Sequence, residues 1–154
     1  MTDLERQVAD LTRRVQRLED EAAIGRVIVR YGLAVDAGDA DAAAATFAED
    51  GVYDVDVGVM HGRDAVAAMI RGERHRSMVG ACAHQMGPVV VEIDGDHATA
   101  RGYSRVYLAT PAGVHVYRVS TNRWQLERRD ENWLIVARTT RLLGHKEALL
   151  PLQG

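Results

Sequence analysis

His84 and Asp36 are of the residue types that general acid–base chemistry uses. A predicted strand through Cys82, His84 and Met86 places His84 on the same side as two apolar neighbours, so its imidazole should point inward. A buried imidazole acts as a general base when a partner fixes its tautomer and stabilises its cation. Asp36 could be that partner, because a carboxylate on an apolar helix face is costly to bury without a hydrogen bond. The same pattern also fits, and more often reflects, a core histidine and a helix-end aspartate.

Tyr31, Ser120 and Asn122 are further candidates. Tyr31 lies about 140° around a helix from Asp36, so the two side chains could flank one opening. A core tyrosine with its hydroxyl at the rim is the alternative. Ser120 and Asn122 share one face of a predicted strand, and polar groups on an inner sheet face would suit a ligand cavity. Sheet edges and oligomer contacts would explain these two residues equally well.

Metal and cofactor motifs do not occur in the sequence. The six histidines show no paired ligand spacing, and there is no HExxH, GxGxxG, P-loop or G-x-S-x-G motif. Residues 54–58 resemble the start of a calcium loop but lack its closing glutamate. We therefore expect no metal and no cofactor.

Two predicted helices come first in the chain among the elements that must position these residues. Apolar residues at the four-and-three spacing of a heptad seam are Leu4, Val8, Leu11, Val15 and Leu18. They predict an amphipathic helix over residues 1–20, which either covers its own domain or joins copies of the chain. A second helical pattern runs from Ile24 to Val35 and ends at Gly38, because glycine readily takes the left-handed turn at a helix C-terminus.

The rest of the chain predicts two shorter helices and then long strands. Asp39 or Asp41 could cap an alanine-rich helix that extends to Phe47, residues 52–57 alternate as a strand, and a further helix follows residues 61–64. Long strands over 97–109, 114–128 and 133–143 are joined by turns. Helices followed by antiparallel strands indicate an α+β domain whose curved sheet, closed on one side by helices, encloses a pocket.

The composition is that of an ordinary soluble domain. The 154 residues carry a net charge of -3 and are 47% hydrophobic, which fits one domain and offers no basic excess for nucleic acid. The single cysteine, Cys82, cannot form an internal disulfide, so we expect a reducing, cytoplasmic compartment. Neither a secretory signal nor a membrane span is expected. Only 5% of the residues are aromatic, which suggests an interior not wholly filled by protein.

Short segments in a fixed order carry a family resemblance. They are Arg30-Tyr31, Val35-Asp36-Ala37-Gly38-Asp39-Ala40-Asp41, Phe47-Ala48-Glu49-Asp50-Gly51-Val52-Tyr53-Asp54, His61-Gly62-Arg63-Asp64-Ala65, Ala83-His84, Asn122-Arg123-Trp124, Arg129-Asp130, Trp133 and Arg138. Over residues 22–143 the chain resembles SnoaL-like proteins of the nuclear transport factor 2-like superfamily. The resemblance implies a cone-shaped α+β barrel over 21–144, with a curved, mainly antiparallel sheet wrapped around helices. The extra N-terminal amphipathic helix (1–20) precedes it and a C-terminal tail (145–154) follows.

Within that superfamily the chain is most similar to the branch that contains scytalone dehydratase, the bile-acid 7α-dehydratase and the hexachlorocyclohexane dehydrochlorinase. The resemblance implies that His84 and Asp36 form a catalytic pair and that Tyr31 assists them. It also implies that Ser120 and Asn122 line a pocket. We predict that Tyr103, Tyr107, Val55 and Phe47 are further substrate-binding residues. A second catalytic histidine and a pocket tyrosine of scytalone dehydratase would fall near Thr110 and Val55, so scytalone-type substrates are not implied.

The combined expectation is a cofactor-free lyase that eliminates water from a small hydrophobic hydroxylated carbonyl compound, such as a steroid-like or polyketide-like ring. His84 would remove a proton, Asp36 would stabilise the imidazolium, and Tyr31 would hydrogen-bond an oxygen of the substrate. The alternatives are an isomerase or cyclase with the same base, or a non-catalytic small-molecule-binding protein. The heptad seam further predicts a homodimer or homotrimer, with neither nucleic acid nor membrane as a partner.

Overall fold

The computed structural model describes residues 1–154 and contains one mixed sheet with helices on its concave side. The helices are α1 (Asp3–Asp36), α2 (Ala40–Ala44), α3 (Arg63–Arg71) and α4 (Glu73–Arg76). The strands are β1 (Phe47–Val55), β2 (Gly58–His61), β3 (Cys82–Asp94), β4 (His97–Thr110), β5 (Gly113–Arg129) and β6 (Asn132–Leu142), and a 3-10 turn follows at Leu150–Leu152. The predicted α+β class and the curved sheet are confirmed.

The six strands lie in the order β2-β1-β6-β5-β4-β3. All neighbouring strands are antiparallel except β1 and β6, which run parallel. The three long strands predicted in the second half agree with β4, β5 and β6 to within one or two residues, because tight turns mark their ends. The alanine-rich helix is shorter than predicted. Asp39 caps it by accepting a hydrogen bond from the Ala42 backbone, but Phe47 already belongs to β1.

α1 is one continuous helix of 34 residues, although the sequence predicts two helical segments. Thr2 and Glu5 form a capping box at its start. Its C-terminal half packs into the domain through side chains that are 4% exposed or less, namely Ile24, Ile28, Tyr31 and Val35. Its first half projects from the domain, because the heptad residues from Leu4 to Leu18 are 52–69% exposed. The N-terminal helix therefore does not cover its own domain.

Asp20 fixes α1 at the point where the helix enters the domain. Its carboxylate accepts hydrogen bonds from Arg128 Nη2 (2.8 Å) and from Trp133 Nε1 (3.1 Å). Burial alone would raise the pKa of Asp20, but the hydrogen bonds from Arg128 and Trp133 outweigh it and hold the pKa below its ordinary value. This ionised carboxylate joins the helix to the turn between β5 and β6.

Gly32 lets the other end of α1 lie directly against β3. A Cβ atom at this position would lie 2.9 Å from the His84 carbonyl oxygen and 3.2 Å from Met86 Cγ. Only glycine permits this approach without a backbone shift. One helical turn further on, the same close packing brings Asp36 to the start of β3.

No helix in the structure is both long enough and apolar enough to cross a membrane.

Candidate active site

Asp36 and His84 are in direct contact at the junction of α1 and β3. His84 Nδ1 lies 2.6 Å from Asp36 Oδ1, and the backbone N–H of His84 donates to Asp36 Oδ2 at 2.7 Å. The two side chains are 17% and 21% exposed. With the carboxylate as acceptor, Nδ1 carries the proton, and Nε2 is left as a basic nitrogen with no protein partner. The structure therefore brings the two residues together, with Nδ1 held by the carboxylate and Nε2 free to accept a proton.

The protonation state of His84 follows from its surroundings. Burial lowers the pKa of His84 below its ordinary 6.5; the carboxylate of Asp36 opposes this, and the positive charge of Arg138 adds to it. The net shift is downward. At neutral pH the imidazole is thus neutral and can accept a proton, while Asp36 stabilises the cation that would form.

Cys82 provides a third contact to the carboxylate. Its thiol lies 3.8 Å from Asp36 Oδ1, and burial together with the negative charge of Asp36 raises the pKa of Cys82. The thiol is therefore protonated and acts as a weak donor. Asp36 thus has three donors on β3 fixing its position, which are two groups of His84 and the Cys82 thiol.

The same three side chains are the ones that could hold a metal ion. One ligand atom from each of Asp36, Cys82 and His84 lies within 4.8 Å of the others. Two ligand atoms on one tetrahedral zinc would be roughly 3.3 Å apart. The Nδ1–Oδ1 distance of 2.6 Å is that of a hydrogen bond, so this arrangement does not fit a metal centre.

A cavity of about 260 Å³ opens in front of His84. Its walls are mostly apolar, with Val35, Val55, Met86 and Val106 among them. Tyr31, Ser104, Ser120 and Arg138 supply polar groups at its inner end, and His75 and Arg118 lie in its lining as well. An apolar space with a few convergent polar groups is the usual form of a small-molecule site.

Arg138 is the most unusual of these residues because it is a buried cation without a carboxylate partner. It is 3% exposed, and its Nε and Nη2 donate to Asn122 Oδ1 at 3.3 and 2.9 Å. Its guanidinium carbon lies 4.8 Å from the ring centre of Tyr31 and 4.6 Å from that of Tyr53. These cation–π contacts stabilise the charge only in part. Nη1 is buried and has no hydrogen-bond partner, so the charge of Arg138 beside the cavity is left incompletely satisfied.

Asn122 lies behind the cavity wall and orients that wall. It is fully buried, accepts from Arg138 and from the Thr140 hydroxyl (2.7 Å), and donates to Ser104 Oγ (2.8 Å). Asn122 therefore does not line the cavity as predicted; it holds Ser104, Arg138 and Thr140, which do. Ser120, its predicted partner, does line the cavity, where it accepts from Arg118 Nε at 2.8 Å.

Tyr31 lies beside Arg138 at the inner end of the cavity. Burial and the neighbouring Tyr53 raise the pKa of Tyr31, so its hydroxyl stays protonated and can donate a hydrogen bond. Phe47 contacts Tyr31 edge to face, with 5.8 Å between the ring centres, but Phe47 is a core residue and does not line the cavity.

Tyr103 and Tyr107 lie on the outer face of β4. Tyr103 is 47% exposed, and Tyr107 donates its hydroxyl to Gln85 at 2.9 Å. The inner face of β4 instead carries Ser104 and Val106, which line the cavity. The small inner residues of this strand leave room for the cavity, whereas aromatic side chains there would fill it.

The sequence pattern does not predict that Arg138, His75 and Tyr53 belong to the site. His75, in α4, donates its Nε2–H to the Val35 carbonyl oxygen at 2.9 Å, and its ring centre is 6.2 Å from that of His84. Because a carbonyl oxygen only accepts, His75 Nε2 carries a proton. No periodic signal marks His75. Tyr53 did stand in a predicted strand, on the face that the cavity uses.

A larger groove of about 1030 Å³ lies elsewhere, between α1 and the turn that joins β5 to β6. Its lining includes Glu19, Arg26, Arg30, Glu49 and Glu131, and it contains neither His84 nor Asp36. The groove is open and its charges are of both signs. The smaller cavity is therefore the better candidate for chemistry.

Comparisons with known proteins agree with the fold. The family model described as a SnoaL-like domain matches residues 16–139. An NTF2-like protein with a cystatin-like fold from Novosphingobium aromaticivorans is 40% identical, with a TM-score of 0.90 over 95% of this chain and 97% of that one. A Mycobacterium tuberculosis protein of unknown function is 29% identical, with a TM-score of 0.74 over 81% of this chain and 77% of that one.

A more distant structure bears on the fold alone. A protein provisionally described as a scytalone dehydratase, from Novosphingobium aromaticivorans DSM 12444, is 18% identical, with a TM-score of 0.70 over 82% of this chain and 85% of that one. A search of curated proteins finds no match.

Proposed function

This chain belongs to the SnoaL-like domain family, and from that premise we propose that it is a cofactor-free lyase that removes water from a small, mostly apolar hydroxylated carbonyl compound. The observation that carries the proposal is the contact between His84 and Asp36 at 2.6 Å, with the unpartnered Nε2 at a cavity. Such an arrangement supplies a neutral base whose cation is stabilised as it forms.

The proposed reaction begins with transfer of the proton on the carbon next to the carbonyl to His84 Nε2. The electron pair of that C–H bond moves toward the carbonyl, whose oxygen gains negative charge. The Tyr31 hydroxyl is the donor available to stabilise that oxygen, and the positive charge of Arg138 beside it adds to the stabilisation. The carbonyl then re-forms as the bond from the β-carbon to its hydroxyl breaks, and the His84 imidazolium returns its proton to the departing hydroxyl. Water leaves, the double bond remains in the product, and His84 is neutral again.

The cavity limits the size of the substrate. Its volume of about 260 Å³ is near the lower end of the range of small-molecule sites, roughly 300–1,000 Å³. One or two rings would fit inside, whereas a steroid-like ring system would extend through the mouth. Apolar walls favour a ring with few substituents, apart from the oxygen that faces Arg138.

Isomerisation or cyclisation is the second candidate, because proton abstraction and stabilisation of an enolate oxygen would serve these reactions too. The polar inner end formed by Tyr31 and Arg138 suits the enolate in each case. The product mass separates them, since elimination lowers it by the mass of one water and isomerisation leaves it unchanged. A non-catalytic binding protein has no need of a base with a free Nε2.

The test is turnover of a panel of one- and two-ring β-hydroxy ketones and esters, followed by mass spectrometry. We expect an active compound to lose water. His84→Ala should lower the rate by about a hundredfold or more. Asp36→Asn should lower it by about tenfold or more, because the base is kept but its cation is no longer stabilised. His115→Ala and Asp94→Asn are matched controls, because both residues are exposed and neither lines the cavity. Turnover that stays within a few-fold of the parent in the His84 and Asp36 variants would refute the mechanism.

A further inference from the structure

The projecting half of α1 carries an apolar stripe that no part of this chain covers. Its members, all exposed, are Leu4, Val8, Leu11, Val15 and Leu18, and the same side of the helix continues through Val29 (45% exposed) and Leu33 (64% exposed). At 100° per residue the stripe lies about 160–200° around the helix from Ile24 and Tyr31, which face the domain. The domain therefore lies on the far side of α1 and leaves the whole stripe accessible.

We propose that a second copy of this chain covers the stripe, with the two α1 helices forming a parallel, two-stranded coiled coil over residues 4–22. The proposal concerns assembly, and it does not rest on the catalytic proposal. In heptad terms the leucines at 4, 11 and 18 occupy d positions, and the valines at 8 and 15 occupy a positions. A β-branched residue at a with leucine at d is the combination that favours two parallel strands over three or four.

The charges beside the seam also favour the parallel orientation. In a parallel pair each g position faces the e position five residues later in the partner helix. This register places Arg14 opposite Glu19 of the second copy within the coil, and Glu21 opposite Arg26 of the second copy just beyond its end, so two attractive pairs form on each side. An antiparallel pair with full overlap would instead place Glu5 opposite Glu19 and Arg14 opposite itself. Parallel pairing is thus the only full-length register without a like-charge contact.

The fold reduces the cost of forming so short a coil. An isolated helix of about 15 residues is marginal in water, because its first turn must nucleate without compensation. Here the packed half of α1, from Asp20 to Asp36, nucleates the helix, and the capping box of Thr2 and Glu5 fixes its start. Five exposed aliphatic side chains per chain then provide the surface that drives association.

The first test is the mass of the full chain by light scattering at micromolar concentration. We expect about twice 16.9 kDa for the parent. Val15→Glu should raise the dimer dissociation constant by at least about a hundredfold, because two valines leave the seam and two carboxylates face each other. Arg13→Glu adds the same residue on the outward face of the same helix and should leave the parent mass unchanged. Circular dichroism should show both variants folded, since residues 3–19 lie outside the core.

Orientation is tested by Leu4→Cys under mild oxidation. Parallel helices bring the two copies of position 4 together, so a covalent dimer should form, and Cys82, which is buried, should not contribute. In the full-overlap antiparallel pair, position 4 of one copy lies about 27 Å from position 4 of the other, and no bond could form. A monomeric or trimeric parent, a Val15→Glu variant that associates as tightly as the parent, or no cross-link at position 4 would each overturn the proposal.

Discussion

Asp36→Asn removes the negative charge of the Asp36–His84 pair, together with the oxygen that accepts from the His84 backbone N–H, while it keeps the size of the side chain. Asparagine has the size of aspartate, and its Oδ1 can still accept the proton on His84 Nδ1, now 2.6 Å from the carboxylate. The variant lacks the negative charge that stabilises the imidazolium. Because burial already lowers the pKa of His84, and the carboxylate of Asp36 is the group that opposes this, its removal should lower the pKa of His84 further.

The size of the effect follows from the kind of contact that is lost. A hydrogen bond to a charged partner contributes about 1.5–3 kcal/mol, and this one joins two side chains that are only 17% and 21% exposed. That energy corresponds to a proton affinity of His84 lower by roughly 10- to 150-fold. A base weakened to this extent is matched less well to a carbon acid, so turnover should fall together with the pKa.

Nuclear magnetic resonance titration of the His84 ring signals in the parent and in Asp36→Asn measures this directly. We expect the variant to titrate at lower pH than the parent, with the neutral Nδ1–H tautomer in both. Asp94→Asn, an exposed substitution, should leave the His84 titration unchanged. If Asp36→Asn leaves the His84 pKa unchanged or raises it, the carboxylate does not stabilise the cation and the reasoning is wrong.

The same pair predicts a pH dependence of stability. The folded-state pKa of His84 lies below the ordinary 6.5, so between these two values the unfolded chain binds more protons than the folded one. The stability that comes from keeping His84 neutral is complete above pH 6.5 and is lost as the pH falls through the folded-state pKa. Asp36→Asn lowers the folded-state pKa of His84 further, so the pH range over which stability is lost extends to lower pH. The free energy of unfolding of the variant should therefore fall more than that of the parent on acidification.

Three further substitutions test the frame around the site. Gly32→Ala should destabilise the fold by about 1–3 kcal/mol and lower turnover, because its Cβ would lie 2.9 Å from the His84 carbonyl oxygen; thermal unfolding measures the first effect. Asp20→Ala should lower the free energy of unfolding by about 2–3 kcal/mol in urea, because the buried N–H of Trp133 loses its acceptor. Arg138→Lys keeps the charge but loses the forked contact to its acceptor, so turnover should fall while the fold persists.

Each of these substitutions has a matched control that should have little effect. Gly25→Ala adds a Cβ with nothing within 4 Å on the same helix, so it should not destabilise the protein. Asp94→Ala removes an exposed carboxylate, and Arg105→Lys changes an arginine on the outer face of β4. If the controls match the test variants, the named contacts are not the cause. A Gly32→Ala variant as stable as the parent would contradict the close helix–strand packing in particular.

Much of the fold follows from the sequence because its signals are local. The turns at Asp94-Gly95 and around Asp130 fix the ends of the long strands, and the heptad residues of α1 predict its first half. The resemblance to SnoaL-like proteins is confirmed. The two helical patterns merge into one helix because no breaker separates Leu18 from Ile24.

The site is predicted less completely because the sheet is irregular. Alternation from Trp133 and Ile135 would place Arg138 on the outer face of β6. A register shift opposite Gln125 and Leu126 skips one residue of β6 and turns Arg138 inward. Such a shift reverses the face of every later residue in the strand, and nothing in the local sequence announces it. The contact between Asp36 and His84 was open to prediction because both residues lie before such irregularities.

The most direct test of the central claim is the fate of deuterium placed on the carbon next to the carbonyl of a substrate from the hydroxy-ketone panel. With the parent protein we expect the deuterium to pass to solvent as the water-eliminated product forms. In His84→Ala both events should be slower by about a hundredfold or more, whereas His115→Ala should match the parent. Loss of deuterium at the parental rate in His84→Ala would show that another group removes the proton and would contradict the account.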